Sequence, residues 1–280
     1  MDQACSLIES FKQTKPLPST VRQLIRLLND ANSTLQDFEK VIRIDPLLVS
    51  RLLTLVNSSF FGLKHEVDSI SRAVALLGTN SVHNIAITGA IQDMLKPFDT
   101  AEGFSTEVLW LHSSASAVCC KMIAERIFAL NGDKLYLSGI LHNIGLIVQW
   151  QTARAKFLQM YERLTTKGPG ILELEQEIFG VDHCRIGSLL TREWSILPSI
   201  TRAIRDYHLQ NNNIIPSSTT GILQLSEYII GQLGFFIKKD VPIRLSPSLS
   251  AHIKKNIEEY RAVADDLSEE IAETQQLYTP

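Results

Sequence analysis

Apolar residues recur at steps of three and four along most of this chain. In STVRQLIRLLND (19–30), Val21, Leu24, Ile25 and Leu28 fall on one face of a helix. In IDPLLVSRLLTLVNSS (44–59), Asp45 is a natural N-cap, and Pro46 suits the first helical position, where no N–H is needed. Leu48, Leu52, Leu55 and Val56 then form the buried stripe. Gly62 and Gly78 are plausible stops, and Ser69 and Thr79 plausible caps, so SISRAVALLG and TNSVHNIAITGAIQDML read as separate helices. Asn57 and Ser58 have the side chains that tie a helix end to its neighbour. Residues 1–100 are thus expected to form a bundle of short helices, near the usual helix length.

KPFDTAEGFST (96–106) is the first break in composition, and it divides the chain into two expected parts, 1–100 and 101–280. The second part continues in helical segments, with TKGPG (166–170) as a breaker and Pro198 opening another helix. The last segment, AHIKKNIEEYRAVADDLSEEIAETQQL, carries Ile253, Ile257, Tyr260, Leu267 and Ile271 on one face and acidic residues on the other. It reads as one amphipathic helix that packs back on the core. No run of strands and no fixed-period repeat stands out, so the fold class is all-α.

Composition narrows the function classes. Lys and Arg total 27 against 30 Asp and Glu, which leaves no overall basic footprint for nucleic acid. Cys5, Cys119, Cys120 and Cys184 form no C-x-x-C and read as reduced core thiols. The start MDQACSLIES does not resemble a signal peptide, and GILQLSEYIIGQLGFFI (221–237) is interrupted by Ser226 and Glu227, so no membrane span is expected. The expected location is the cytoplasm.

There is no G-x-G-x-x-G after a strand, no G-x-x-x-x-G-K-[ST], no G-x-S-x-G and no H-E-x-x-H. The residues left to carry chemistry are histidines: His112 in LWLHSSASA, His142 in LYLSGILHNIG, His183 in GVDHCRIG and His208 in IRDYHLQ. Each taken singly reads most simply as a core histidine. His65 and His83 read as surface or packing residues, and His252 opens the last helix without an assigned role. A hydrolytic metal site needs neutral imidazoles, carboxylates and open positions for water. Asn143, next to His142, offers one neutral oxygen and cannot bridge two metals as a carboxylate can.

LPSTVRQLIRLLND, VIRIDPLLVSRLLTLVNSSFFGL and VDSISRAVALLGTNSVHNIAI are followed in order by LYLSGILHNIGLIV, EQEIFGVDHCRIGSLLTREWSILPSITRAIRDYH and ILQLSEYI. On these segments the chain resembles the HDOD domain, a helical relative of the HD-type metal-dependent phosphohydrolases found in bacterial signalling proteins. The resemblance runs from about residue 12 to about residue 235. It implies an N-terminal helical bundle and a degenerate HD-like helical core. Under it, His112 stands for the first metal histidine, His142 and Asn143 for the His–Asp doublet, and Glu227 for the closing aspartate. His183 and His208 stand where two-metal relatives place extra histidines, as second-metal or phosphate contacts. Asp45, Pro46, Asn57 and Gly62 belong to the family's structural hallmark, for which helix capping is already a sufficient account.

The implied function is a non-catalytic regulatory module in bacterial signal transduction, working through a signalling protein partner or a small ligand such as a nucleotide. No catalytic residue and no tightly held cofactor are expected. A weakly held divalent ion (Mn, Fe, Zn or Mg) is the most that His112, His142, Asn143 and Glu227 are expected to retain. A homodimer is compatible with the sequence; a membrane role and nucleic-acid binding are not indicated. The alternative is a metal-dependent phosphohydrolase acting on a nucleotide or other phosphoester through the altered site. Arg185, Arg192, Arg202 and Arg205 read as solvated helix faces.

Overall fold

The computed structural model describes residues 2–57, 66–210, 213–239, 241, 243 and 245–276, with side chains as far as residue 272. The expected stop at Gly62, the partner role of Ser58 and the surface assignment of His65 lie outside the described residues. The described chain is helical apart from one two-stranded antiparallel hairpin of two-residue strands, β1 (Thr100–Ala101) and β2 (Phe104–Ser105). The all-α expectation holds.

The chain divides into two compact units, residues 17–93 with the extreme C-terminus, and residues 1–16 with 94–271. Where a single boundary at residue 100 was expected, helix α1 (Gln3–Thr14) groups with the later helices instead. The reason is its apolar stripe: Ala4, Ile8 and Phe11 are buried, on a helix that packs with α8 (Ile144–Thr152) and α11 (His183–Glu193).

In the 17–93 unit, α2 (Ser19–Asn29), α3 (Leu35–Ile42), α4 (Pro46–Val56) and α5 (Ile70–Leu95) follow the sequence pattern closely. Thr34 and Asp37 form a reciprocal capping box at the start of α3. Asp45 caps α4 by accepting from Leu48 N at 3.0 Å, with Pro46 at the first helical position, and its second oxygen accepts from Thr20 Oγ1 at 3.0 Å. Asn57 clamps a loop: its amide donates to Val67 O at 2.9 Å and its Oδ1 accepts from Val67 N at 2.7 Å. Gly78 breaks α5 at φ +77°, a backbone state that a Cβ disfavours, which fulfils the expected stop. By length and composition α5 could cross a membrane, but 61% of its apolar window is buried within the protein and the break interrupts it. His83, expected at the surface or in packing, is buried at 3% exposure with neither ring nitrogen hydrogen-bonded.

In the larger unit the chain runs through α6 (Thr106–Met122), a π-helical turn at Ile123–Ile127, α7 (Gly132–Leu141), α8, α9 (Arg154–Arg163), α10 (Ile171–Phe179), α11, α12 (Pro198–Asp206), α13 (Thr219–Gln232), α14 (Pro247–Lys255) and α15 (Ile257–Gln276). The hairpin delivers Phe104 into an aromatic cluster with Trp150, Phe157 and Tyr161, at ring-centroid distances of 4.7, 4.6 and 5.3 Å. The expected single C-terminal helix is two. Asn256 ends α14, its side chain donating to His252 O at 2.8 Å, and α15 restarts at Ile257. Tyr260, Val263, Leu267 and Ile271 then bury into the core shared with α6 and α13, so the amphipathic stripe packs back as expected. Of the four cysteines, all free, Cys5 is exposed and so departs from the expected core position.

Candidate metal centre

LYLSGILHNIG does not form one unbroken helix. α7 ends at Leu141 and α8 begins at Ile144, leaving His142 and Asn143 in the corner between them. Two glycines let this corner sit deep. A Cβ on Gly139 would lie 2.4 Å from the Ala117 backbone of α6, and one on Gly145 would lie 2.0 Å from His183 O at the start of α11. Close approach of backbones is what glycine permits here.

Three side chains converge here: His112 from α6, His142 from the corner itself and Glu227 from α13. His112 Nδ1 lies 2.9 Å from Phe235 O, and His142 Nδ1 lies 2.6 Å from Gly139 O. A carbonyl only accepts, so each Nδ1 carries a proton and each Nε2 faces inward. The two Nε2 atoms are 3.3 Å apart, and Glu227 Oε2 and Oε1 lie 3.2 Å from His112 Nε2 and 3.3 Å from His142 Nε2. Metal–ligand bonds of about 2.0–2.1 Å at the tetrahedral angle separate donors by about 3.3–3.4 Å. The edge between the two imidazoles has nearly that length, and each imidazole lies at nearly that distance from one of the two Glu227 oxygens. Glu227 Oε1, though close to His142, accepts no hydrogen bond, because the proton of His142 is on the far nitrogen.

The electrostatics fit the same picture. Burial pushes His142 down to about 4, so it is the neutral imidazole a metal requires. Burial alone would raise Glu227, but the facing His112 and His142 outweigh it and hold the carboxyl at about 2. His112 is lifted above the ordinary histidine value: burial opposes its charge, and the Glu227 carboxylate more than restores it. Two imidazoles and one carboxylate make a ligand set suited to Mn, Fe or Zn, with positions left for water or a ligand.

Asn143 does not join this triangle. Its Oδ1 accepts from the Tyr207 hydroxyl at 3.1 Å, its amide nitrogen is buried with no partner, and its side chain caps no helix. Tyr207 is also 2.6 Å from His183 Nε2, and His183 Nδ1 is 2.7 Å from Glu175 Oε2. His183 is the first residue of α11, so its backbone N–H has no partner within the helix, and Glu175 accepts that too, at 3.1 Å. His208, just past α12, packs edge-on to His183 and over Tyr207 at 5.2 and 4.2 Å between ring centroids. Burial holds His208 low, at about 3.

All six residues expected at the site by resemblance therefore gather in one unit: His112, His142 and Glu227 as a triangle, Asn143, His183 and His208 around Tyr207. Arg185, Arg192, Arg202 and Arg205 are exposed, as expected. Tyr207 and Glu175 were not anticipated. Tyr207 is adjacent to His208, which is a weak signal; Glu175 lies eight residues before His183 across the α10–α11 turn, and no sequence period pairs them.

All of the cluster but His142 lines a cavity of about 400 Å³, large enough for a small-molecule ligand. The rest of its lining is mixed, with Phe157, Met160, Leu164 and Phe236 beside Thr165, Glu173 and Gln224. Lys238 stands at the edge with its ammonium held at Tyr161 O and over the Tyr161 ring.

The sequence profile of the HDOD domain matches residues 15–210. A Treponema pallidum protein of uncharacterised function is 25% identical over 207 residues, 73% of this chain; the chain spans about two fifths (39%) of that relative's length. A crystal structure from Shewanella amazonensis, named a candidate phosphohydrolase, superposes with a TM-score of 0.71 at 22% identity, covering 98% of both chains. Another, from Marinobacter aquaeolei and named a candidate signal transduction protein, gives a TM-score of 0.75 at 20% identity, covering 99% of this chain and 65% of that one. At these identities the two structures establish a shared fold.

Proposed function

The chain belongs to the HDOD domain family, and on that premise we propose that it is a regulatory module of bacterial signal transduction that binds in its histidine-floored cavity and does not turn a phosphoester over. The observation that carries this reading is the hydrogen bond from Tyr207 to Asn143. Where an HD-type doublet would supply a carboxylate to the metal, this chain has a neutral amide already committed to a phenol. A metal held by His112, His142 and Glu227 would have a single carboxylate, too little negative charge to clamp two ions around an attacking oxygen. Output then passes to a signalling partner through the protein surface.

The second reading, a metal-dependent phosphohydrolase, draws on a different observation: His112, His142 and Glu227 lie 3.2–3.3 Å from one another, and His112 and Glu227 line the cavity. One experiment separates the two. The protein is stripped with chelator, reloaded with Mn, Fe or Zn, desalted, and assayed for metal content and for release of phosphate from nucleotides and a chromogenic phosphoester, with Asn143→Asp alongside. Metal retained without turnover, with activity gained only in Asn143→Asp, supports the regulatory reading. Wild-type turnover abolished by His142→Ala overturns it.

A further inference from the structure

On the reading that the cavity of the larger unit is a ligand site, we propose that it takes an uncharged small molecule with an amide or lactam edge, one N–H beside one C=O, and that Gln224 and Asn143 select it. Asn143 and Gln224 are 2% and 3% exposed, and both line the cavity. Each is a primary amide with one half engaged and the other half unpartnered. Asn143 Oδ1 accepts from the Tyr207 hydroxyl at 3.1 Å, and its Nδ2 has no partner. Gln224 Nε2 donates to Leu209 O at 2.9 Å, and its Oε1 has no partner. The Leu209 carbonyl only accepts, so Gln224 must turn its nitrogen there and leave its oxygen over. What remains is one orphan donor and one orphan acceptor, and buried polar atoms without partners are rare and costly.

The charges around the cavity point to a neutral occupant. Both buried carboxylates are already matched, Glu175 by His183 at 2.7 Å and Glu227 by His112 at 3.2 Å. Lys238 spends its ammonium on the carbonyls of Tyr161 and Glu162 and on the Tyr161 ring. Among the described residues no arginine lines the cavity. A phosphate group would need charge-assisted donors that these contacts have taken, whereas an amide edge needs only the two atoms left over. The two amides also stand close to one point: Gln224 is one turn before Glu227 on α13, Asn143 directly follows His142, and Glu227 and His142 are 3.3 Å apart. The body of the molecule would meet Phe157, Met160, Leu164 and Phe236, and a volume of about 400 Å³ suits a compact, mainly apolar one.

A lactam and the lactone of the same shape test this. Full-length protein is titrated calorimetrically with oxindole, with the benzofuranone in which a ring oxygen replaces the N–H, and with phenyl phosphate, whose release of inorganic phosphate is followed in the same samples. Oxindole is expected to bind at least about tenfold more tightly than the lactone, because the lactone sets a lone pair against Gln224 Oε1. Gln224→Leu is expected to bring the two to the same affinity. Should Gln224→Leu not fold, Asn143→Asp keeps the acceptor for Tyr207, removes the donor, and is expected to weaken oxindole by a similar factor. Equal affinities for lactam and lactone, no binding of oxindole, or an oxindole affinity that neither variant lowers overturns the amide site. So does phenyl phosphate bound more tightly than oxindole. Hydrolysis of phenyl phosphate overturns the regulatory reading and leaves a lactam preference standing, whereas equal affinities without hydrolysis remove only the amide site.

Discussion

The Tyr207 hydroxyl bridges two buried side chains from different parts of the chain, 3.1 Å from Asn143 Oδ1 and 2.6 Å from His183 Nε2. Removing it leaves both without their partner in the interior. Tyr207→Phe is expected to lower stability by about 1–3 kcal/mol, the usual cost of stranding buried polar groups. Urea unfolding measures this; an unchanged midpoint would show that the bridge contributes nothing.

Ion binding at the His112–His142–Glu227 triangle should appear as stability. An ion that binds only the folded state, supplied at about one hundred times its dissociation constant, adds about 2.7 kcal/mol. Manganese or zinc is therefore expected to raise the melting temperature of the wild type, and chelator to reverse the gain. In His142→Ala the shift should vanish, because the set loses one of its three donors.

Gly145 is where α8 passes α11. A methyl group there meets His183 O at 2.0 Å, so Gly145→Ala must push the His142–Asn143 corner away from His183. The expected cost is about 1–3 kcal/mol, as for other overpacked sites, together with weaker metal retention. Gly170→Ala, with nothing within 4 Å of the new carbon, is the matched control and should change stability by less than about 0.5 kcal/mol.

Asn57 pairs with both the N–H and the C=O of Val67. Asn57→Ala loses both bonds and is expected to destabilise by about 1–2 kcal/mol. Asn57→Asp keeps the acceptor for Val67 N but turns a carboxylate oxygen toward Val67 O, so it should destabilise at least as much as Asn57→Ala. Chemical denaturation of the series tests the order, which a purely solvent-exposed Asn57 would not produce.

His83 predicts a pH dependence. Burial lowers it from 6.5 to about 4, so the folded protein holds it neutral. Between about pH 4 and 6.5 the unfolded chain binds the extra proton, and stability therefore rises with pH across that window. The loss on acidification through the window is about 3 kcal/mol from this residue. Denaturation midpoints at pH 4.5 and 7 should converge in His83→Gln relative to wild type; parallel behaviour of the two proteins would refute the assignment.

Much of the fold is legible in local pattern. Asp45–Pro46 and Gly78 act through backbone groups a few residues away, so the sequence alone places the helix ends that they set. The stripe of α2 is visible for the same reason, because a three-to-four step puts Val21, Leu24 and Ile25 on one face wherever the helix is packed. The C-terminal helix was harder. Its periodicity carries across Asn256, where the backbone leaves helical geometry and the side chain bonds to His252 O.

The site divides along the same line. The sequence by itself determined which residue types could bind a metal, that residue 143 is an amide, and the family to which the chain belongs. It could not decide whether His112, His142 and Glu227 share one point, since they lie 30 and 85 residues apart along the chain and meet only through the packing of α6, α7 and α13. Nor could it show that Tyr207 claims Asn143 or that Glu175 backs His183. Hydrogen bonds and metal geometry depend on tenths of an ångström between side chains on different helices, and no local pattern encodes that distance; tertiary packing sets it.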